Sequence, residues 1–114
     1  MAAVELHHNP RCSKSREALQ LIRDRGIEPV IVDYLAGVHD RASLTALLAR
    51  LALPPSGLLR RGEPEAPGPD ADEDAILDAL VAHPRLIERP VVVTPRGAVV
   101  ARPPERLLPL LDRL

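Results

Sequence analysis

The chain has one cysteine, one methionine, one tyrosine, and no phenylalanine or tryptophan. With Cys12 alone, no disulfide can close within the chain and no four-cysteine zinc site can be assembled. A lone thiol fits a reducing cytoplasm. The N-terminal stretch has no basic region or long apolar segment, so no secretory signal is visible. No apolar run approaches the ~20 residues that cross a bilayer. The longest, near Leu44–Leu53, is broken by Arg50. Neither sign of charge dominates: 15 basic residues stand against 16 acidic ones, for a net charge of −1. That argues against a nucleic-acid binder, which would carry a basic excess. Every basic residue but Lys14 is arginine, so an arginine at any one position carries little weight by itself.

What remains is an ordinary composition, 46% apolar and 27% charged. A chain of 114 residues buries roughly two-thirds of its unfolded surface, enough for one core. A single domain over 1–114 is expected.

Along the chain, Val4–His7 reads as a first strand. Asn9-Pro10 marks a loop, because proline biases the residue before it away from helix. From Ser13 the apolar period becomes helical, with Ala18, Leu19, Leu21 and Ile22 on one face and Gly26 as the stop, giving a helix over 13–25. Val30-Ile31-Val32 is a continuous β-branched run and reads as a buried parallel strand. Asp40 can cap a second helix, with Leu44, Leu47, Leu48 and Leu51 on its face and Pro54-Pro55 as its end. Ser56–Arg60 can add one further turn. Gly62–Ala71 is rich in proline, glycine and acid, and is the expected mobile loop. Asp72 opens a third helix that buries Ile76, Leu77, Leu80 and Val81. Val91–Thr94 and Ala98–Val100 flank Pro95-Arg96-Gly97 as a β-hairpin. A last helix opens at Arg102-Pro103-Pro104-Glu105, packs through Leu107, Leu108, Leu110 and Leu111, and should kink or end at Pro109. The order is βαβ, a helical insert over about 40–84, then ββα. This predicts an α/β fold, a four-stranded mixed sheet of thioredoxin-like type with an inserted helical segment.

Cys12 falls where a loop meets a helix N-terminus. Free backbone N–H groups and the positive end of the dipole favour a thiolate there, and can hold an oxyanion. Arg11, Lys14 and Arg16 add positive charge. The alternative is a buried, inert cysteine. Ser15 stands where a dithiol redox site would have its second cysteine, so any redox cycle needs an outside thiol. Equally, Ser15 can be a first-turn capping residue. His8 can approach the sulfur from the loop or lie exposed. His7, His39 and His83 show no metal-ligand spacing.

Four segments in register carry a resemblance: His8–Arg16, Leu58-Leu59-Arg60, Leu86–Thr94 and Arg102–Glu105. Together they resemble the glutathione/glutaredoxin-coupled arsenate reductase family over nearly the whole chain. The family's fold is thioredoxin-like with a helical insert. The resemblance implies Cys12 as nucleophile, His8 as the histidine assisting the thiolate, and Ser15 as a hydroxyl beside it. It implies Arg60, Arg89 and Arg102 as oxyanion-binding residues, with Arg61 the substitute if the register slips by one. Pro90 matches the proline that is commonly cis in such folds. A guanidinium can bind two oxygens of a tetrahedral oxyanion, and three would neutralise a dianion. Where reductases of the family carry Cys-Gly-Thr-Ser-Arg, this chain has Cys12-Ser13-Lys14-Ser15-Arg16, the form of a sister group named by similarity to the reductases.

The resemblance implies a cytoplasmic oxidoreductase of arsenic detoxification. It would take arsenate as substrate, glutathione as co-substrate and glutaredoxin as partner, with no bound cofactor or metal. Two alternatives stand beside it. One is a monothiol glutaredoxin-like oxidoreductase, which Cys-x-x-Ser also permits. The other is a non-catalytic regulator like the Spx relatives of the fold.

Overall fold

The computed structural model describes residues 4–112. The chain forms two compact units. One comprises the chain up to Asp33 and from Arg89 onward; the other is Tyr34–Glu88.

The first unit holds strand β1 (Glu5–His7), helix α1 (Ser13–Asp24), strands β2 (Val30–Val32), β3 (Val91–Thr94) and β4 (Gly97–Val100), and a 3-10 helix over Pro104–Leu111. The sheet order is β2-β1-β3-β4. β2 runs parallel to β1, while β3 is antiparallel to both its neighbours. This is the expected four-stranded mixed sheet of the thioredoxin-like class. The parallel pair requires a crossover, which α1 supplies. α1 ends because Gly26 takes φ 75, a left-handed conformation open to glycine. Arg25 is its C-cap, not its last helical residue.

The core of this unit lies between one face of the sheet and the helices. Leu6 of β1 and Val92 of β3 are register partners. They meet Ala18 and Ile22 of α1 and Leu107 and Leu111 of the 3-10 helix, with Val4 and Ala101 completing the cluster.

Further details of this unit depart from the sequence reading, among them the first strand, which starts at Glu5 and not Val4. β2 is parallel but not buried: Val30 is 57% and Ile31 44% exposed. Its β-branched run looked like a strand covered on both faces, yet it stands at the sheet edge with β1 as its neighbour. The hairpin turn is Pro95-Arg96 alone, because Gly97 already pairs with Thr94. The last helix is 3-10 and runs through Pro109 to Leu111. Pro109, inside the helix, removes an amide donor that an α-helical ladder would use, whereas Pro103 and Pro104 stand at its start, where no such donor is needed. Pro104, Leu107 and Leu111 are buried, and Leu108 and Leu110 only half-buried.

The second unit carries helix α2 (Arg41–Leu51), helix α3 (Glu73–Ala82), and 3-10 turns at Tyr34–Ala36, Pro55–Leu58 and Pro84–Leu86. Asp40 and Ser43 form a reciprocal capping box on α2, with Ser43 N donating to Asp40 Oδ1 at 2.8 Å. Asp72 caps α3 through the Ala75 amide at 2.8 Å. Pro54-Pro55 do not end α2; Ala52 does, at φ 56. Leu44, Leu47 and Leu48 of α2 and Ile76, Leu77 and Leu80 of α3 are buried, with Leu51 and Val81 half-buried. Arg41 joins the helices by pairing with Asp74 at 2.6 Å and with Asp78. Gly62–Ala71 forms turns, closed by Ala66 N on Glu63 O and Ala71 N on Gly68 O, both 3.1 Å. Glu65 in this stretch pairs with Arg85. No helix among the described residues is long and apolar enough to cross a membrane.

Candidate active site

The loop between β1 and α1 is built by asparagine and serine. Asn9 Oδ1 accepts from Arg11 N at 3.0 Å, an Asx turn, and its carbonyl accepts from Cys12 N at 2.9 Å. Cys12 is the N-cap of α1, at φ −93 and ψ 121, and contributes no side-chain cap. Its sulfur is thereby free to face the first-turn amides. Ser15, the third residue of α1, is fully buried. Its Oγ reaches back past the N-cap, accepts from Asn9 N at 3.0 Å, and lies 2.6 Å from His8 Nδ1. Arg16 Nη1 donates to Pro10 O at 2.8 Å and holds the loop from the other side.

The half-buried Cys12 thiol is subject to opposing effects. Burial pushes its pKa up. The backbone N–H groups of Ser15 and Lys14, and the Arg89 guanidinium by hydrogen bond and charge, outweigh this, so the thiol lies below its ordinary value. Arg102 Nη1 stands 4.0 Å from Cys12 Sγ and also donates to Arg89 O at 3.0 Å. Two guanidinium groups thus meet one sulfur. The hairpin brings them there. Val91 opposes Val100, and Ala101 N donates to Pro90 O at 2.9 Å, so Arg89 and Arg102 flank the open end of the ladder. Each precedes a proline through a cis bond, Arg89–Pro90 and Arg102–Pro103.

His8 is buried, and burial, followed by the charges of Arg23 and Arg16, lowers its pKa, so the ring is neutral near pH 7. The contact its ring makes is with Ser15. The Ser15 amide in turn is among the groups that lower the thiol. Arg60 lies in the second unit, where its Nη1 is 3.5 Å from Glu88 Oε1 and its Nε 3.8 Å from Glu63 Oε1. Among the described residues, no three His, Cys, Asp or Glu side chains gather as a metal site would require.

Asn9 was read as part of a turn and Arg16 as added positive charge; the side-chain hydrogen bonds by which they shape the loop were not read. The Asn-Pro pair was the signal for Asn9, since an asparagine in a turn often organises it through its side chain. The meeting of Arg89 with Arg102 follows from the two-residue turn at Pro95-Arg96, which sets 91 against 100 and hence 89 against 102; the expected three-residue turn Pro95-Arg96-Gly97 would have set them out of register.

Fold and site together define a thioredoxin-like protein with one low-pKa cysteine between guanidinium groups at a helix N-terminus. Known proteins agree. The pattern of the ArsC family matches residues 7–110, and the chain belongs to that family. It is 41% identical over 113 residues to the arsenate reductase of Rhizobium meliloti (strain 1021), covering 95% of this chain and 81% of that protein. It is 39% identical over 114 residues to the uncharacterized protein YfgD of Escherichia coli (strain K12), covering 95% of this chain and 96% of that protein. The solved structure of an arsenate reductase from Vibrio cholerae superposes with a TM-score of 0.88 at 36% identity, covering 96% of this chain and 98% of the other.

Proposed function

We propose that the protein is an arsenate reductase that works through a Cys12 thiolate. The observation that carries this reading is the sulfur's setting: first-turn amides and Arg89 lower the thiol, and Arg102 stands 4.0 Å away. The same donors that favour a thiolate favour a tetrahedral oxyanion brought against it. For Arg60, in the second unit, an oxyanion-binding role rests on the family resemblance alone.

In the reaction the Cys12 sulfur attacks As(V), an S–As bond forms, and a protonated oxygen leaves as water. Glutathione then adds its thiolate to arsenic, displacing a second water. A glutaredoxin thiolate attacks the glutathione sulfur, the glutathione S–As bond breaks, and its electron pair stays on arsenic, now As(III). The two external thiols end as a mixed disulfide. Hydrolysis of the Cys12 S–As bond releases arsenite and restores the thiol. This chain's residues hold the sulfur ionised, orient the oxyanion, and stabilise charge on its oxygens. Ser15 and His8 act as positioning residues for the Cys12 loop.

The deciding experiment is arsenate reduction coupled to glutathione and glutaredoxin, run on wild type and Cys12→Ser. Activity in wild type and none in Cys12→Ser supports the reading. No arsenate reduction in wild type, with turnover of a glutathionylated peptide, would replace it by a monothiol glutaredoxin-like activity.

A further inference from the structure

Cys12 occupies the N-cap of α1 without capping it. Asparagine, aspartate, serine and threonine hold a helix start by accepting from a first-turn amide, as Asp40 does for α2 and Asp72 for α3. A cysteine whose sulfur is kept for chemistry leaves that task to other residues. Arg16 is placed to take it. Its backbone N–H donates to Cys12 O at 3.0 Å, and its Nη1 donates to Pro10 O at 2.8 Å. One residue thus holds the carbonyls that bracket Arg11 and Cys12. Asn9 closes the same segment from the front, where its carbonyl accepts from Cys12 N at 2.9 Å.

The placement goes against the local charge preference. A cation near the start of a helix opposes the positive end of its dipole. α3 opens with Glu73 and Asp74, whereas the first turn of α1 holds no acid. Other cations of α1 and its C-cap take acidic partners: Lys14 pairs with Glu17 at 3.5 Å, Arg23 with Glu28 at 3.0 Å and Arg25 with Asp112 at 3.6 Å. Among the described residues the Arg16 guanidinium pairs with no carboxylate; it binds an exposed loop carbonyl. A residue that breaks a local rule and gives its hydrogen bond to the loop carrying the nucleophile marks a constraint on that loop.

We propose that Arg16 is a positioning residue for Cys12: its guanidinium straps the Pro10 carbonyl to α1 and so holds the sulfur at the helix N-terminus. The inference rests on the reading of Cys12 as a thiolate nucleophile. The groups that lower the thiol directly are the backbone N–H groups of Ser15 and Lys14 and the Arg89 guanidinium, with Arg102 at 4.0 Å. Arg16 acts on the sulfur through the backbone of the loop. Its loss lets residues 10–12 move relative to the first turn, and the sulfur then meets those groups less well.

The test is the pH profile of iodoacetamide alkylation, which reports Cys12 alone because the chain has no other thiol. It is run on wild type and Arg16→Met, at low salt and in about 0.5 M potassium chloride, where exposed charges are screened. Arg16→Met keeps an aliphatic stem and removes the donor. Its midpoint should lie about half a pH unit above wild type, a roughly three-fold loss of rate well below the midpoint, the scale of one hydrogen bond. The difference should persist in salt. Arg16 is exposed, so the core is untouched, and urea unfolding follows stability separately. An unshifted midpoint, whatever the stability, would make Arg16 merely structural and overturn the proposal. A difference that vanishes in salt would assign the effect to charge alone and overturn it as well. In both cases a wild-type midpoint below ~8.5 leaves the reading of Cys12 standing. A wild-type midpoint at or above that value removes the reading, and the proposal with it.

Discussion

At the residue scale, Cys12 is governed by donors that come from the backbone as much as from side chains. Because the thiol lies below its ordinary pKa, thiolate persists at pH values where a free cysteine is protonated. The iodoacetamide rate should therefore rise with a midpoint below the ordinary ~8.5. Arg89→Ala should move that midpoint upward, since it removes a hydrogen bond and a positive charge while burial continues to oppose ionisation. A wild-type midpoint at or above 8.5 would refute the reactive-cysteine reading. Ser15 gives a second measurement. Its Oγ satisfies the Asn9 amide at 3.0 Å and meets His8 at 2.6 Å inside the protein. Ser15→Ala leaves those partners unsatisfied and should cost about 1–3 kcal/mol in urea unfolding. An unchanged unfolding midpoint would show that the hydroxyl is not part of what holds the loop. The position of Cys12 at a helix start was legible from Pro10 and the change of period at Ser13. The partners of His8 and Ser15 were not, because a side-chain hydrogen bond spanning seven residues depends on how the loop folds back.

At the element scale, two leucine-rich or β-branched segments that look alike in sequence have opposite weight. Leu107 of the 3-10 helix is fully buried among α1 and the sheet. Leu107→Ala should cost about 2–5 kcal/mol, by lost transfer energy and a cavity. Ile31 of β2 is 44% exposed at the sheet edge. Ile31→Thr should change stability by no more than about 0.5 kcal/mol. Denaturant titration of both variants checks the pair; equal losses would mean that β2 is covered in solution. Strand, helix and hairpin were legible here because each has a local period or turn chemistry. The burial of β2 was misread because its residues are the same whether a strand stands at the edge or the centre of a sheet. That choice is made by pairing.

At the scale of the whole molecule, the chain has one sulfur nucleophile and no partner cysteine. Electrons for any bound arsenic must come from a thiol outside the chain. Turnover should require glutathione or a comparable small thiol, with glutaredoxin closing the cycle. Thioredoxin alone should serve poorly, since it acts best on an internal disulfide that cannot form here. Intact-mass spectrometry after arsenate exposure should show an adduct at Cys12 or a Cys12–Cys12 dimer, and added glutathione should convert the product. Sustained turnover on thioredoxin alone, without adduct or dimer, would refute this mechanism.

The amino-acid sequence by itself determined the order and type of most elements and that the single thiol stands at a helix start. Those are local matters: the turn bias of Asn9-Pro10, the cap at Asp40, the left-handed Gly26 and the hairpin around Pro95-Arg96. It also determined that no second thiol is at hand. Only the tertiary structure decided that Arg89 and Arg102, among many arginines, meet Cys12, that Ser15 binds His8, and that Glu63 and Glu88 gather on Arg60. Those contacts join residues that no short-range period connects. A guanidinium's reach depends on strand register and helix packing, which are settled when the elements bury their apolar faces together.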